Sequence, residues 1–426
     1  MKFGIFYEHQ HPQPWSEGSE LKLYQDALEQ VEVADRVGID YVWEVEHHFL
    51  EEYSHSSAPE VFLAACSQRT RRIRLGHGIT LMPPRYNHPA RVAERIAALD
   101  LVSAGRCDWG TGESATAVEM EGFGIDPNEK TAMWQEATEQ AANMLAMRPY
   151  PGYAGRYFDM PTRNLVPKPV QKPHPPLWMA CSKRETIHRA ARHGMGALTF
   201  AFIEPELARK WVDEYYDIIR SSACVPIGHT VHPNIAIVSG MSCHADEDEA
   251  VRRGLDGFRF FGYSLGYYGI FGAHEPGVAN VWKKFLAVKD TLPDNAGRGG
   301  IGTPAQVRAH IKAYEDVGID QVIFIQQCGT NRHEDICDSL RAFGDQVLPE
   351  FAERDRVREA RKQEELAPFI EAALARKPRL APIAPEAVAT VEAYGRRSAA
   401  VRATFSDRGG AISIPQSDPA ARPAAE

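Results

Sequence analysis

Eight short apolar runs recur along the chain, and nearly every one is followed by a segment with helical spacing. Lys2–Tyr7, Asp40–Val45, Arg72–Gly78 and Arg106–Gly112 read as strands in the first part of the sequence. Leu21–Val37, Pro59–Arg69, Pro89–Val102 and Lys130–Met147 read as the helices between them. The first of these repeats apolar residues at Leu23, Ala27, Val31 and Ala34 and meets Gly38 where a helix-ending glycine belongs. After a proline-rich stretch the pattern resumes, with strands at Leu177–Cys181, Ala197–Phe202, Asn234–Ser239 and Gln321–Ile325. Helices Lys183–His193, Pro205–Arg220, Ala245–Phe260, Pro304–Val317 and Glu334–Phe351 follow or flank them. Strands alternating with helices imply right-handed βαβ units around a parallel sheet. A doubly wound dinucleotide fold would place GxGxxG straight after the first strand, and that motif is missing there. The expected fold is therefore α/β, a TIM-type (β/α)8 barrel with inserted loops and a C-terminal extension.

Two insertions interrupt the repeat. Pro149–Pro176 has the look of a short hairpin followed by extended chain, and Gly262–Gly302 is a long Gly- and Tyr-rich loop suited to a lid. Residues 1–355 are expected to form the barrel. From 356 to 426 the chain turns charged and then rich in Ala, Pro and Arg, which predicts continuing helix and, from about Gly395, disorder. The net charge of −9 carries no Lys/Arg block, which argues against nucleic-acid or anionic-membrane partners. No apolar run approaches the roughly 18 residues of a membrane span, and MKFGIFYEH lacks a signal-peptide pattern. Seven scattered cysteines without a CxxC pair read as reduced thiols, so a cytoplasmic location is expected.

Reactive groups of such barrels sit at the C-terminal ends of the strands. After the second strand, Glu44-Val45-Glu46-His47-His48 offers candidate bases and ligands. A zinc site would need a further ligand such as His77 or His88, which no spacing rule supplies, so no metal is expected. Gly76-His77-Gly78-Ile79 and Gly110-Thr111-Gly112 leave room for a flat ligand against the backbone, or are plain turns. After the fifth strand, Ala180-Cys181-Ser182 opens a helix, with Ser182 as its N-cap and Lys183 and Arg184 nearby. That arrangement suits either an anion or an ordinary Ser182–Glu185 capping box. Cys181 reads more as a structural thiol than as a nucleophile.

Several segments together resemble the bacterial luciferase-like, flavin-dependent monooxygenases. They are the opening MKFGIFYE, Trp43–Phe49 (WEVEHHF), Arg74–Pro83 ending in HGITLMP, His88-Pro89, Leu99–Gly112, Gly302-Thr303-Pro304 and Val347–Phe351. The resemblance spans residues 1–355 in consistent order. It implies reduced FMN at the barrel mouth, reacting with O2 through a C4a-(hydro)peroxyflavin to oxygenate a small hydrophobic substrate. It further implies a separate NAD(P)H:flavin reductase and a homodimer. His47 carries over as the catalytic base and Glu46 as a cofactor-pocket residue. Gly78-Ile79 matches a non-proline cis peptide under the flavin ring. Gly112, Ala180, Cys181, Ser182 and Thr186 match cofactor-binding positions, Thr186 only by allowing one inserted residue.

Two departures stand out. Luciferase itself has a cysteine where this chain has Gly112 and a phosphate-binding arginine where it has Glu113, so light emission is not expected. The lid aromatics Tyr267, Tyr268 and Phe271 are expected to cover an apolar substrate. A deazaflavin-dependent oxidoreductase on the same barrel is the nearest alternative, and a non-catalytic flavin-binding protein is one of another class.

Overall fold

The computed structural model describes residues 1–397 apart from 201 and 293–297; the expected disordered tail beyond 397 lies outside the described residues. Eight parallel strands close into a barrel: β1 (Lys2–Tyr7), β2 (Tyr41–Val45), β3 (Arg74–Leu81), β4 (Cys107–Gly112), β5 (Leu177–Cys181), β6 (Gly196–Thr199), β7 (Ile235–Ser239) and β8 (Gln321–Ile325). Each strand pairs with its sequence neighbours, and β8 pairs with β1 to close the ring. The expected (β/α)8 barrel is the fold observed.

The sequence fixes which face each strand residue takes, because side chains alternate. On β5, Leu177, Met179 and Cys181 pack toward the helices, while Trp178 points into the barrel. There Trp178 meets Trp43 edge to face at 5.2 Å between ring centroids. Its indole N–H donates to Asp108 Oδ1 at 3.0 Å, and Arg74 neutralises the same carboxylate at 2.5 Å. Two large rings fit inside because Gly76 and Gly196 lie beside them: a Cβ on either would fall inside the neighbouring indole.

The helices outside are α1 (Ser19–Val37), α2 (Pro59–Arg69), α3 (Pro89–Val102), α4 (Ala117–Phe123), α5 (Lys130–Ala146), α6 (Arg184–Arg192), α7 (Pro205–Arg220), α8 (Glu247–Gly266), α9 (Val281–Val288), α10 (Pro304–Asp316), α11 (His333–Gln346) and α12 (Leu348–Arg376). The proline-rich insertion contains the expected hairpin, with strands Tyr153–Ala154 and Asp159–Met160. The long loop expected from Gly262 is largely helical instead. Helix α8 runs on to Gly266, a π-turn spans Tyr267–Phe271, and α9 follows.

The helix expected to end at Phe351 breaks at Val347 and restarts as α12, a 29-residue helix that passes through position 355. It lies across the N-terminal ends of β7 and β8, where Lys362 donates to Asn234 at 2.7 Å and Asp320 at 3.1 Å. Residues 383–397 form a separate short segment with a 3-10 turn at Pro385–Ala387.

Candidate active site

Strand β2 delivers His47 to the barrel mouth, with its side chain 13% exposed. The His47 backbone N–H donates to Ser56 O at 2.8 Å, which fixes where the ring emerges. The ring lies between two carboxylates. Nδ1 is 2.9 Å from Glu119 Oε1, and Nε2 is 3.8 Å from Glu8 Oε1.

Glu119 is fully buried on α4 and is also held by Ser114 Oγ at 2.7 Å, Thr116 Oγ1 at 2.8 Å and the His48 N–H at 3.0 Å. Glu8, at the end of β1, is 1% exposed. Its Oε1 accepts from the Tyr53 hydroxyl at 2.9 Å, and its Oε2 has no partner.

These environments separate the three ionisations. Burial works against charge on His47 and Glu119, but their contact and the donors around Glu119 outweigh it. His47 is raised to about 9 and Glu119 is lowered to about 2. For Glu8 burial wins: it is raised to about 7, with His47, Tyr53 and Ser54 offsetting only part of the effect. Near neutrality the centre therefore holds an imidazolium–carboxylate pair beside a carboxyl that takes up a proton readily. Sequence reading found His47 but neither Glu8 nor Glu119. The available signal for Glu119 was Thr116-Ala117-Val118-Glu119, a capping-box spacing just after β4.

Glu46 points toward β3. Its Oε2 accepts from the Leu81 N–H at 2.8 Å, and its Oε1 from Asn87 at 2.8 Å and His48 at 3.1 Å. The carboxylate thereby ties β2 to the outgoing chain of β3. Neither metal-ligand candidate joins His47: His77 bonds Thr80 and approaches Glu60, and His88 caps α3. Among the described residues no three His, Cys, Asp or Glu side chains group as metal ligands.

The strands beside β2 form an apolar floor. Gly112, Ile79 and Ala180 are adjacent: a Cβ on Gly112 would lie 2.6 Å from Ile79 Cγ2 and 3.9 Å from Ala180 Cβ. The Gly78–Ile79 bond expected to be cis is not so. The four cis bonds among the described residues all precede proline, at positions 14, 149, 167 and 173. Instead β3 carries one extra residue here against both neighbours, since His77 and Ile79 oppose consecutive Glu44 and Val45. A β-bulge re-aims the strand end.

The β5 end corrects two further expectations. The Cys181 thiol is buried on the helix side, donates to Met179 O and is pushed up to about 12 by burial, so it does not face the mouth. Lys183, not Ser182, is the N-cap of α6. The Thr186 hydroxyl folds back on it, accepting from the Lys183 N–H at 3.3 Å and donating to its carbonyl at 2.7 Å. Ser182 stays exposed.

Arg184 turns away to Glu214 on α7. Its place is taken by cations that sequence reading missed. Arg189 lies 3.3 Å and Lys130 4.0 Å from Glu113, and burial together with nearby Lys183 and Arg189 lowers the Lys130 ionisation. Lys183 and Arg189 also approach Glu185, at 3.3 and 3.8 Å, so the patch sets three cations against two carboxylates and keeps the sign that attracts an anion.

Over the mouth, Phe6, Tyr53, Phe200, Phe202 and Phe261 meet ring to ring at 5.4–6.3 Å. Of the lid aromatics, Tyr267 and Tyr268 are buried, whereas Phe271 faces outward at 57% exposure. Glu52 fastens the lid by accepting from the Gln13, Val281 and Trp282 N–H groups.

The model of the luciferase-like monooxygenases matches residues 1–321. The chain belongs to the luciferase-like monooxygenase family. An uncharacterised Sinorhizobium fredii protein is 37% identical over 174 residues, 41% of this chain and 49% of that one, so the match spans about half of the relative. The oxygenase component of flavin-dependent trigonelline monooxygenase from Acinetobacter baylyi is 25% identical over 368 residues, 83% of this chain and 96% of that protein. An F420-dependent glucose-6-phosphate dehydrogenase of Amycolatopsis mediterranei is 24% identical over 342 residues, 75% and 96% of the two chains. Among solved structures, monooxygenase RslO1 from Streptomyces bottropensis superposes with TM-score 0.67 at 27% identity, covering 82% of this chain and all of the other. In this luciferase-like barrel the Ile79 side chain takes the space that a side chain at Gly112 would need, and Glu113 sits among cations rather than adding one.

Proposed function

We propose that this protein is the oxygenase of a two-component monooxygenase that uses reduced FMN and O2 to oxygenate a small hydrophobic substrate. A separate NAD(P)H:flavin reductase supplies the reduced cofactor in this reading. The observation that carries it is the placement of the His47–Glu119 pair beside the floor of Ile79, Gly112 and Ala180, with the Lys130–Lys183–Arg189 patch at one side. An apolar strip lacking a side chain at Gly112 fits a flat ring, and the cations fit a phosphate. The similarity to an oxygenase component supports a dedicated reductase partner.

Bound reduced FMN would supply the electrons that activate O2, with one oxygen going to substrate and the other leaving as water. Glu119 fixes the tautomer and angle of His47, leaving Nε2 to hold or release a proton at the mouth. The aromatic cluster and the buried lid tyrosines exclude water from that nitrogen, which strengthens every charge contact inside.

Mixing the protein with reduced FMN in air tests the reading. The expected result is slowed flavin reoxidation, and substrate oxygenation that falls roughly 100-fold in His47→Ala while flavin affinity stays within about twofold. Reoxidation at the rate of free flavin with saturating protein would sink it. A deazaflavin-dependent dehydrogenase is the second reading, supported by the F420-dependent relative; turnover that persists without O2 would favour it. Tight binding of FMN with no turnover of any substrate would point to a flavin-binding protein.

A further inference from the structure

The reading of His47 as the proton-handling residue leaves Glu8 unused. Nδ1 of His47 is committed to Glu119, which four donors hold in its ionised form, so only Nε2 can exchange a proton with the reaction. The nearest acceptor to Nε2 among the ion pairs is Glu8, at 3.8 Å. That is just beyond the roughly 3.2 Å of a hydrogen bond, so a small turn of the carboxyl makes the contact direct.

We propose that Glu8 is a positioning residue that shares the transferable proton of His47, giving and taking it at Nε2 between reaction steps. In the transfer, the Nε2–H bond of the imidazolium breaks and an O–H bond forms on Glu8. His47 becomes neutral while keeping Nδ1–H on Glu119, and the summed charge of the three groups is unchanged.

Three features argue for exchange rather than a fixed ion pair. Glu8 is 1% exposed, receives one hydrogen bond to Oε1 from Tyr53, and leaves Oε2 unpartnered. A buried carboxylate with so few donors is poorly stabilised, and a proton on it relieves the cost. Glu119 shows the contrast, since the same burial there is answered by Ser114, Thr116 and the His48 N–H. Burial accordingly raises Glu8 to about 7. The other titratable groups facing the pair are Glu46 and Tyr53 after β2, Glu119 on α4 and Cys328 after β8. Of these, Cys328 and Tyr53 are raised by burial and stay neutral, so Glu8 is the group able to trade a proton there.

Glu8→Gln keeps the shape and an oxygen for the Tyr53 hydroxyl, so it separates proton sharing from support of Tyr53. The first readout is the pH titration of the His47 ring by NMR in the full chain without flavin. The His47 ionisation is expected to fall by about one unit, a tenfold change in proton affinity, while His48 stays put. The second is the pH profile of substrate oxygenation, which is expected to bend near 7 in the parent and to lose that bend in Glu8→Gln. An unmoved His47 titration overturns the coupling, and a shifted titration with an unchanged profile overturns the exchange.

Tyr53→Phe serves if Glu8→Gln does not fold. It removes the donor to Glu8 Oε1, leaving Ser54, and is expected to move the bend upward; no movement overturns the proposal. If His47 shifts as expected but no variant or parent oxygenates any substrate with reduced FMN, the coupling stands and the monooxygenase reading falls.

Discussion

At the residue scale the decisive quantity is how each buried charge is answered. Glu119 and Glu8 are both sequestered, yet one is held ionised by four donors and the other is nearly bare. The same logic applies to the anion patch, where Glu113 competes with any phosphate for Arg189 and Lys130. Glu113→Gln is therefore expected to tighten FMN binding several-fold at low salt, and Arg189→Ala to weaken it by about tenfold, both effects shrinking as salt rises. Fluorescence titration with FMN checks this, and weaker binding by Glu113→Gln would show that Glu113 supports the site instead. His47 was legible because two histidines and two acids crowd one strand end. Glu119 was not, because it meets His47 across 72 residues and its local spacing reads equally well as an ordinary helix cap. Lys130 and Arg189 carry no local signal at all; only the folded barrel brings α5 and α6 to one Glu113.

At the scale of elements, strands and helices were readable wherever period and punctuation agree. β1, α2, α3, β5, α7 and β8 have the bounds that the residue pattern predicts. The Gly262–Gly302 reading failed for a physical reason. Gly262, Gly266, Gly269 and Gly272 suggest a loop, but Phe258, Phe261, Tyr267 and Tyr268 bury against the mouth, and packing overrides propensity. Interior glycines of the barrel are a different matter, since their role follows from space. Gly76→Ala would push a methyl into the Trp43 indole, which already faces Trp178. The expected cost is about 1–3 kcal/mol, read as a lower urea midpoint with an unchanged slope. An unaltered midpoint would mean that the two tryptophans can shift together. The one-residue bulge at Gly78 lies two positions along the same strand, so loosening this layer is also expected to disturb the floor beside Gly112.

The whole molecule adds a layer that the motif pattern did not show, since α12 closes the end of the barrel opposite His47 with buried or half-buried cations and histidines. Arg376 donates to the Ser221 and Cys224 carbonyls, and buried Lys377 donates to Ile227 O at 2.8 Å. Burial, together with the charge of Lys377, lowers His174, His193 and His229 to about 4 each. Burial, with Lys362, also lowers His232 to about 3, and away from α12, beside Ser239 at the other end of β7, burial lowers His310 to about 4. A histidine that ionises below its unfolded value of 6.5 binds fewer protons when folded, so stability rises with pH between about 4 and 6.5. Glu8 acts oppositely: raised from 4.5 to about 7, it removes stability as pH climbs through that window. Its single proton is outnumbered by five imidazoles, each contributing a slope of up to about 1.4 kcal/mol per pH unit. His47, raised from 6.5 to about 9, contributes stability that is full below 6.5 and fades by 9. Glu119, lowered to about 2, adds stability that is lost as pH falls below 4.5. The opposing slopes cross near pH 6.5–7, where the urea midpoint at constant ionic strength is expected to peak, falling more steeply toward pH 4.5 than toward pH 9. A midpoint at pH 4.5 equal to or above that at 6.5 would mean that the histidines under α12 are solvated and ionise freely, and α12 would then not seal this end of the barrel.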